Sequence, residues 1–311
     1  MDNSRKVPVP DSTGLRMLAV HAHPDDESSK GAATMATYLQ AGARVMVASC
    51  TGGERGDILN AAVGELAHAH RDLPGVRRRE MAEAAQALGI EHRWLGYVDS
   101  GLPEGDPLPP LPGGCFALQP VERAAAPLVK LIREFKPHVM TTYDENGGYP
   151  HPDHIQCHNV SVFAFEAAAD PEFRPELGDA WSVSKVYYDR GFSPDRFLTL
   201  HQGMLDAGLE SPYAERIKFM QENEGQPMFA WVKNHPTTTR VLSSDHFATR
   251  DAALKSHRTQ IDPDGFFFAV PNEIAAEHYP WEDFTLARHR IEGYEVDPNE
   301  PEDDLFSGLR D

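Results

Sequence analysis

Apolar segments and segments of helical periodicity alternate through the first part of the chain, and this alternation most constrains the fold. The apolar segments predict four strands: RMLAVHAH from Arg16, ARVMVASC from Ala43, EHRWLGYV from Glu91 and KPHVMTTY from Lys136. Helical spacing separates them, and a further helix at about 155–169 precedes a strand within VSKVYYDRGF. Strands that are connected through helices predict a mostly parallel sheet with both faces covered. We therefore expect an α/β, Rossmann-like doubly wound core at residues 14–190.

The periodicity is weaker in the remainder of the chain. Residues 191–295 contain helix-like segments, a strand-like TTTRVLSS and an apolar DGFFFAV, which predicts a buried strand. We expect these residues to form a smaller C-terminal lobe that packs over the active site. Residues 296–311 are acidic and interrupted by proline, which predicts a solvated or surface-bound tail.

Charge and composition exclude several classes of protein. The formal net charge of −19 argues against a nucleic-acid partner, because phosphate binding depends largely on lysine and arginine. No apolar run approaches the roughly 18 residues of a membrane span. The first residues also lack the apolar stretch of a signal peptide. We expect a cytoplasmic protein with a small-molecule partner and no membrane contact.

Polar residues follow the first expected strand, where His23 and Pro24 precede the acids Asp25, Asp26 and Glu27. In doubly wound sheets, ligands bind outside the carboxyl ends of the strands, so this cluster lies at the expected edge for a site. An imidazole and a carboxylate from one turn can bind a common metal ion. The same acids also suit the capping of a following helix, so the segment alone leaves both interpretations open.

A second segment of this kind follows the fourth expected strand. It reads YPHPDHIQCH and carries His151, Asp153 and His154. Together, the two segments supply His, Asp and His, a ligand set that leaves the fourth position of a catalytic zinc ion open for water. We therefore predict a metal site that includes His23 and His154.

The turn TGGERG after the second expected strand lacks the glycine spacing of a dinucleotide site and the Lys-Ser/Thr pair of a P-loop. Nucleotide binding is therefore not expected. A tight turn in which Glu54 and Arg55 support the pocket accounts better for the pattern.

Five blocks of the sequence resemble one known group of enzymes. They are MLAVHAHPDDESSKGAAT, TGGERGDILN, WLGYVDSGLPEGD, FKPHVMTTYDENGGYPHPDHI and HRTQIDP, between about residues 16 and 265. These blocks are similar to the LmbE-like zinc deacetylase superfamily and, within it, to the branch of mycothiol S-conjugate amidases.

The resemblance implies one zinc ion per chain, although the choice between zinc and iron stays open. Matched on the motifs, its ligands are His23, Asp26 and His154. Asp25 corresponds to the general base of the superfamily. A carboxylate that lies beside the metal without binding it can take the proton of the attacking water.

The resemblance also implies roles for five further residues. Tyr149 and His151 would stabilise the developing oxyanion and assist the leaving group, Arg77 and Asp99 would contact the sugar-inositol part, and Lys30 would lie near the pocket. Lys30 would distinguish the amidase branch from the deacetylase branch, because its ammonium can donate to the carbonyl oxygens of an acetyl-cysteinyl group.

The expected reaction is hydrolysis of the amide that joins a cysteinyl group to glucosaminyl-inositol in mycothiol S-conjugates, which yields a mercapturate-type product and the aminosugar. Two other functions stay open: deacetylation of N-acetylglucosaminyl-inositol, and non-catalytic binding of a sugar or a metal. A spare base beside the metal argues against a binding protein. Three further points stay open: the group on the sulfur, a role in detoxification or in an antibiotic pathway, and assembly into a homo-oligomer.

Overall fold

The strands of the chain form one mixed sheet. A computed structural model describes residues 7–191, 193–223, 235–297 and 299–310. Its strands are β1 (Arg16–His21), β2 (Arg44–Thr51), β3 (Glu91–Tyr97), β4 (Val139–Thr142), β5 (Lys185–Asp189), β6 (Thr239–Leu242) and β7 (Trp281–His289). Their spatial order is β3-β2-β1-β4-β5-β7-β6.

Helices connect the strands and cover the sheet. They are α1 (Asp26–Ser29), α2 (Ala32–Gln40), α3 (Ala61–Gly64), α4 (Ala67–Arg71), α5 (Leu73–Leu88), α6 (Val121–Phe135), α7 (Pro152–Ala169), α8 (Pro194–Asp206), α9 (Ala214–Glu222), α10 (Phe247–Ser256) and α11 (Asn272–His278). Strands β1 to β5 pair in parallel, whereas β7 is antiparallel to both β5 and β6. The Rossmann-like, mostly parallel fold class is confirmed.

Both faces of the sheet are buried, as the continuous apolar character of β1 requires. Leu18 and Val20 belong to the core cluster that contains α6 and α7, and Met17 and Ala19 belong to the cluster that contains α2, α5 and α10. Successive side chains of a strand point to opposite faces, so one apolar strand serves both clusters.

The second half of the chain extends this sheet. β6 and β7 both lie in it, and β7 is a strand that the sequence pattern did not indicate. The division at residue 190 therefore stays a prediction. The expectation of a buried strand in DGFFFAV is wrong, because Phe266–Phe268 form a turn of 3₁₀-helix, and Phe266 is exposed.

The acidic C-terminal segment is partly embedded in the protein. Leu305 and Phe306 are fully buried in the core cluster beside α2, and the Tyr38 hydroxyl donates to the Asp304 carboxylate at 2.8 Å. Two apolar side chains thus anchor a segment whose composition is mostly charged. Among the described residues, no helix combines the length and the apolar character that crossing a membrane needs.

Candidate metal centre and active site

Four loops meet at the carboxyl edge of the sheet. β1 lies between β2 and β4. From β1 the chain runs to β2 and β3 on one side of the sheet and then crosses back to β4 and β5 on the other side. The crevice of a doubly wound fold therefore opens between β1 and β4. The loop after β1 carries His23, Asp25 and Asp26, and the loop after β4 leads to His151 and His154 at the start of α7. The order of the strands thus brings together two segments that lie more than 120 residues apart.

Three buried donor atoms form a compact triangle at this point. His154 Nε2 lies 3.3 Å from His23 Nδ1, and Asp26 Oδ2 lies 3.5 Å from each of these two nitrogens. Ligands about 2.0–2.1 Å from a tetrahedral zinc ion are roughly 3.3–3.4 Å apart. The donor set of two imidazoles and one carboxylate therefore fits a metal ion in both chemistry and spacing.

Hydrogen bonds orient the two imidazoles toward this triangle. His154 Nδ1 lies 2.9 Å from the carbonyl oxygen of Gly147, and His23 Nε2 lies 3.3 Å from Asp153 Oδ2. A donated N–H at these positions leaves His154 Nε2 and His23 Nδ1 with free lone pairs for a metal. Burial lowers the pKa of His154 to about 3, so its ring is neutral, as a ligand must be.

The Asp26 carboxylate is held by three donors. Its Oδ2 accepts from the Tyr143 hydroxyl at 2.7 Å and from the backbone N–H of His23 at 3.0 Å, and its Oδ1 accepts from Lys30 Nζ at 2.6 Å. Although burial acts in the opposite direction, the Lys30 ammonium holds the pKa of Asp26 well below its usual value. Asp26 is therefore ionised and fixed in place.

Asp25 lies beside the triangle in a strained backbone conformation. Its φ of 110° is in the left-handed region, which a residue with a side chain rarely adopts and which costs about 1–3 kcal/mol. Its backbone N–H donates to Glu27 Oε2 at 2.9 Å, and its Oδ2 accepts from Arg77 Nη2 at 2.9 Å. The strain separates the Asp25 carboxylate from that of Asp26, so the two adjacent acids contact different partners.

The environment of Asp25 suits a general base. Burial raises the pKa of Asp25 to about 6, and the Arg77 guanidinium opposes this rise. A base is most effective when its pKa lies near the working pH, so this shift moves Asp25 in the useful direction.

Tyr149 and His151 face the same site. Burial raises the pKa of Tyr149, so its hydroxyl keeps its proton. Burial and the neighbouring His23 lower the pKa of His151 to about 4. His151 Nδ1 accepts from the backbone N–H of Asp153 at 3.1 Å, which leaves Nε2 as the protonated nitrogen of the neutral ring. Both side chains can therefore donate a hydrogen bond at neutral pH.

A second group of donors shares His23. The ligand atoms of His23, Asp99 and His151 also lie within 4.8 Å of one another. Asp99 Oδ1 is 3.5 Å from His23 Nε2, the nitrogen that also faces Asp153. Asp99 in addition accepts from the backbone N–H groups of Arg55 and Gly101. The acid of this second group thus already has other partners.

A cleft of about 650 Å³ opens above these residues, which is within the usual size range of small-molecule sites. We call it the site cleft. Seven of the nine residues assigned from sequence line it: His23, Asp25, Asp26, Arg77, Asp99, Tyr149 and His151. His154 lies beneath them with no exposed surface. Lys30 is not among the described lining residues, because its ammonium is turned toward Asp26.

Two glycines permit close approaches that the motifs alone did not explain. A Cβ on Gly147 (φ +74°) would lie 2.5 Å from His154 Cβ, and a Cβ on Gly53 (φ +62°) would collide with the Arg77 guanidinium. Arg77 Nη1 donates to the Gly53 carbonyl at 2.7 Å. The turn TGGERG thus holds Arg77 against Asp25.

Several contributing residues were not assigned from the sequence. Tyr143 contacts Asp26 and Asp153 contacts His23, so each orients one predicted metal ligand. Glu27 supports the Asp25 backbone, and His257 Nε2 in turn lies 2.6 Å from Glu27 Oε1. Glu27 and Asp153 belong to the two segments that carry the predicted metal ligands, and Tyr143 ends the fourth expected strand, which was the available signal. His257 lies 230 residues from Glu27, and no local pattern connects them.

Comparisons with known proteins show the family to which the chain belongs. A family model described as PIG-L: GlcNAc-PI de-N-acetylase matches residues 18–165. Over 299 residues, the chain is 54% identical to the mycothiol S-conjugate amidase of Streptomyces coelicolor, with 96% of this chain and 98% of that protein covered. The chain belongs to the PIG-L, or LmbE-like, deacetylase family. The resemblance that the motifs indicated is confirmed, and with it an enzyme that hydrolyses amide bonds.

Two further proteins are less similar to this chain. The 1D-myo-inositol 2-acetamido-2-deoxy-alpha-D-glucopyranoside deacetylase of Streptomyces scabiei is 39% identical over 307 residues, which cover 95% of this chain and 90% of that protein. The N,N'-diacetylchitobiose deacetylase of Pyrococcus horikoshii shares the fold with a TM-score of 0.57 at 18% identity, over 88% of this chain and 83% of that one. PIG-L family deacetylases are metal-dependent, and the triangle of His23, Asp26 and His154 fits a metal.

Proposed function

We propose that this PIG-L family member is a zinc-dependent amidase of mycothiol S-conjugates. It would cleave the amide between the cysteinyl group and glucosamine, and release a mercapturate-type product and glucosaminyl-inositol. The observation that carries the proposal is the donor triangle of His23, Asp26 and His154 with an unligated carboxylate, Asp25, directly beside it. The high identity to an amidase over nearly the full chain supports this substrate class.

The residues of the site divide the reaction between them. His23, Asp26 and His154 would hold the zinc ion, which would supply a Lewis acid and lower the pKa of bound water to about 7. Asp25 takes the proton of the attacking water, and Arg77 holds its carboxylate in position. Tyr149 and His151 donate hydrogen bonds to the oxygen on which negative charge develops, the kind of contact that contributes about 3 kcal/mol in other enzymes. Asp25 then delivers the proton that it has taken from water to the departing amine.

Substrate contacts are proposed for three residues. Arg77 and Asp99 line the site cleft and carry the charges that suit the hydroxyl groups of a sugar-inositol. Lys30 is buried, and its ammonium donates to Asp26. A contact of Lys30 with the acyl side of the substrate therefore requires its ammonium to be shared with Asp26.

Deacetylation of N-acetylglucosaminyl-inositol is the second candidate, since relatives at 39% identity carry that activity in their names. The two reactions share the aminosugar product and differ in the acid released. Zinc-loaded protein should therefore be given each substrate separately, with primary amine and the released acid both measured. A kcat/KM for the S-conjugate that exceeds that for the acetylated sugar supports the amidase, and the reverse order supports the deacetylase.

A further inference from the structure

The site cleft has an apolar side that the proposed chemistry does not use. Besides its polar residues, the cleft is lined by Leu59, Leu102, Pro103 and residues 109–112, which are Pro-Pro-Leu-Pro. We call these residues the apolar rim. It comes from two loops, one after β2 and one after β3.

Two of the three leucines of the apolar rim are largely exposed to solvent. Leu59 is 67% exposed and Leu102 is 53% exposed. A single exposed leucine on a protein surface is ordinary. A group of adjacent apolar side chains that continues into a polar cleft is instead typical of a ligand-binding groove.

The backbone on each side of the apolar rim is fixed. Leu59 N–H and Asn60 N–H donate to the Thr259 carbonyl at 2.8 and 3.3 Å. The loop that carries Leu102 begins at Ser100, whose N–H donates to Asp153 Oδ2 at 2.7 Å. Five prolines between residues 103 and 112 restrict the backbone of that loop further. The leucines are thus presented on a preorganised surface, which reduces the entropy lost on binding.

The chemistry of an S-conjugate decides which part of it suits this surface. The amine side of the scissile amide carries a polyol, whose hydroxyl groups need hydrogen-bond partners when they lose water. The acyl side carries a thioether whose substituent needs none when it is apolar. Arg55, Asp57 and Gln260 offer polar groups in the same cleft, whereas the apolar rim offers only carbon.

We propose that the apolar rim is a subsite for the substituent on the substrate's sulfur, and that this substituent is an apolar, preferably aromatic, group. The inference rests on the proposed function. It assigns to Leu59 and Leu102 a role in substrate choice, because the acetyl group of the alternative substrate is too short to use them.

The test compares two S-conjugates that differ only in this group, S-benzyl and S-carboxamidomethyl. The double variant Leu59→Asn/Leu102→Asn should lower the ratio of kcat/KM for benzyl over carboxamidomethyl about tenfold, the lower end of what a hydrophobic pocket contributes. Leu108→Asn is the matched control. Leu108 lies in the same proline-rich loop and is 65% exposed, but it does not line the cleft, so the ratio should not change.

A second readout is independent of turnover. With Asp25→Asn as background, the rim variant should raise the Kd of the S-benzyl conjugate about tenfold and leave that of the S-carboxamidomethyl conjugate unchanged. Equal effects on the two conjugates, or none on either, overturn the subsite and leave the apolar rim as a surface for a protein partner. Failure of the proposed function is separately visible, because the wild-type zinc enzyme would then release no amine from either conjugate.

Discussion

Lys30 Nζ lies 2.6 Å from Asp26 Oδ1, and both side chains are buried. The ammonium of Lys30 balances the negative charge of the Asp26 carboxylate, which the site needs in its ionised form. This contact also gives Lys30 a role other than the substrate contact that the resemblance implies. The two roles can be separated by experiment. A role beside Asp26 affects the turnover of every substrate, whereas a substrate contact affects the S-conjugate alone.

Lys30→Met removes the ammonium and keeps most of the apolar stem. If Lys30 acts through Asp26, we expect kcat/KM to fall about 10- to 100-fold for both the S-conjugate and the acetylated sugar, the range for losing a hydrogen bond to a charged group. Measurement of both specificity constants for wild type and variant checks this. A loss confined to the S-conjugate would instead assign Lys30 to substrate binding.

The metal ligands can be identified by stoichiometry. His154→Ala should lose bound zinc, because it removes one corner of the triangle in which all donor separations are 3.3–3.5 Å. His151 belongs to the second group alone, so His151→Ala should retain one zinc per chain. Metal analysis after gel filtration measures both. Zinc retained by His154→Ala and lost by His151→Ala would place the metal in the second group.

Asp25→Asn tests the assignment of the base. The amide nearly preserves the shape of the side chain but cannot take a proton, so kcat should fall by about two to four orders of magnitude while zinc remains bound. Asp57→Asn is the control for kcat, since Asp57 lines the same cleft but makes no hydrogen bond or ion pair with the donor triangle, and its kcat should stay near the wild-type value whatever its effect on KM. An Asp25→Asn enzyme with near wild-type kcat and full zinc occupancy would contradict the role of Asp25.

The buried pair of His257 and Glu27 should contribute strongly to stability. His257→Ala leaves a charged Glu27 without its partner in the interior, and we expect the free energy of unfolding to fall by about 3–5 kcal/mol. Arg258→Ala is the control from the adjacent position, because it breaks an exposed ion pair with Glu83 and should cost about 1 kcal/mol or less. Urea denaturation measures both.

The contribution of this pair should depend on pH. Although burial lowers the pKa of His257, Glu27 raises it more, above the ordinary value of 6.5. Stability that comes from a raised pKa is fully present below 6.5 and declines as the pH rises through the raised value. The stability difference between wild type and His257→Ala should therefore be largest at mildly acidic pH and smaller in alkaline solution. A difference that grows with pH would show that the pair is not charged in the folded protein.

The sequence by itself determined the class of the fold, the edge of the sheet at which the site lies and the residue types that hold a metal. These features follow from local patterns: alternation of strands and helices, and two short segments in which histidine and aspartate are close neighbours. The sequence did not predict β7, because its apolar residues are interrupted by polar ones that face other parts of the chain. The prediction of a strand in DGFFFAV was wrong, because three adjacent aromatics suit a turn as well as a strand.

Only the tertiary structure decided which partner each charged group has. Whether Asp25 or Asp26 faces the metal depends on a left-handed backbone at Asp25, and that strained conformation is supported by Glu27 and, through it, by His257 from 230 residues away. The position of Lys30 behind Asp26, and the meeting of Leu59 and Leu102 in one cleft, likewise depend on contacts between distant segments. The local sequence does not predict such contacts, because they arise only when packing of the sheet brings its loops together.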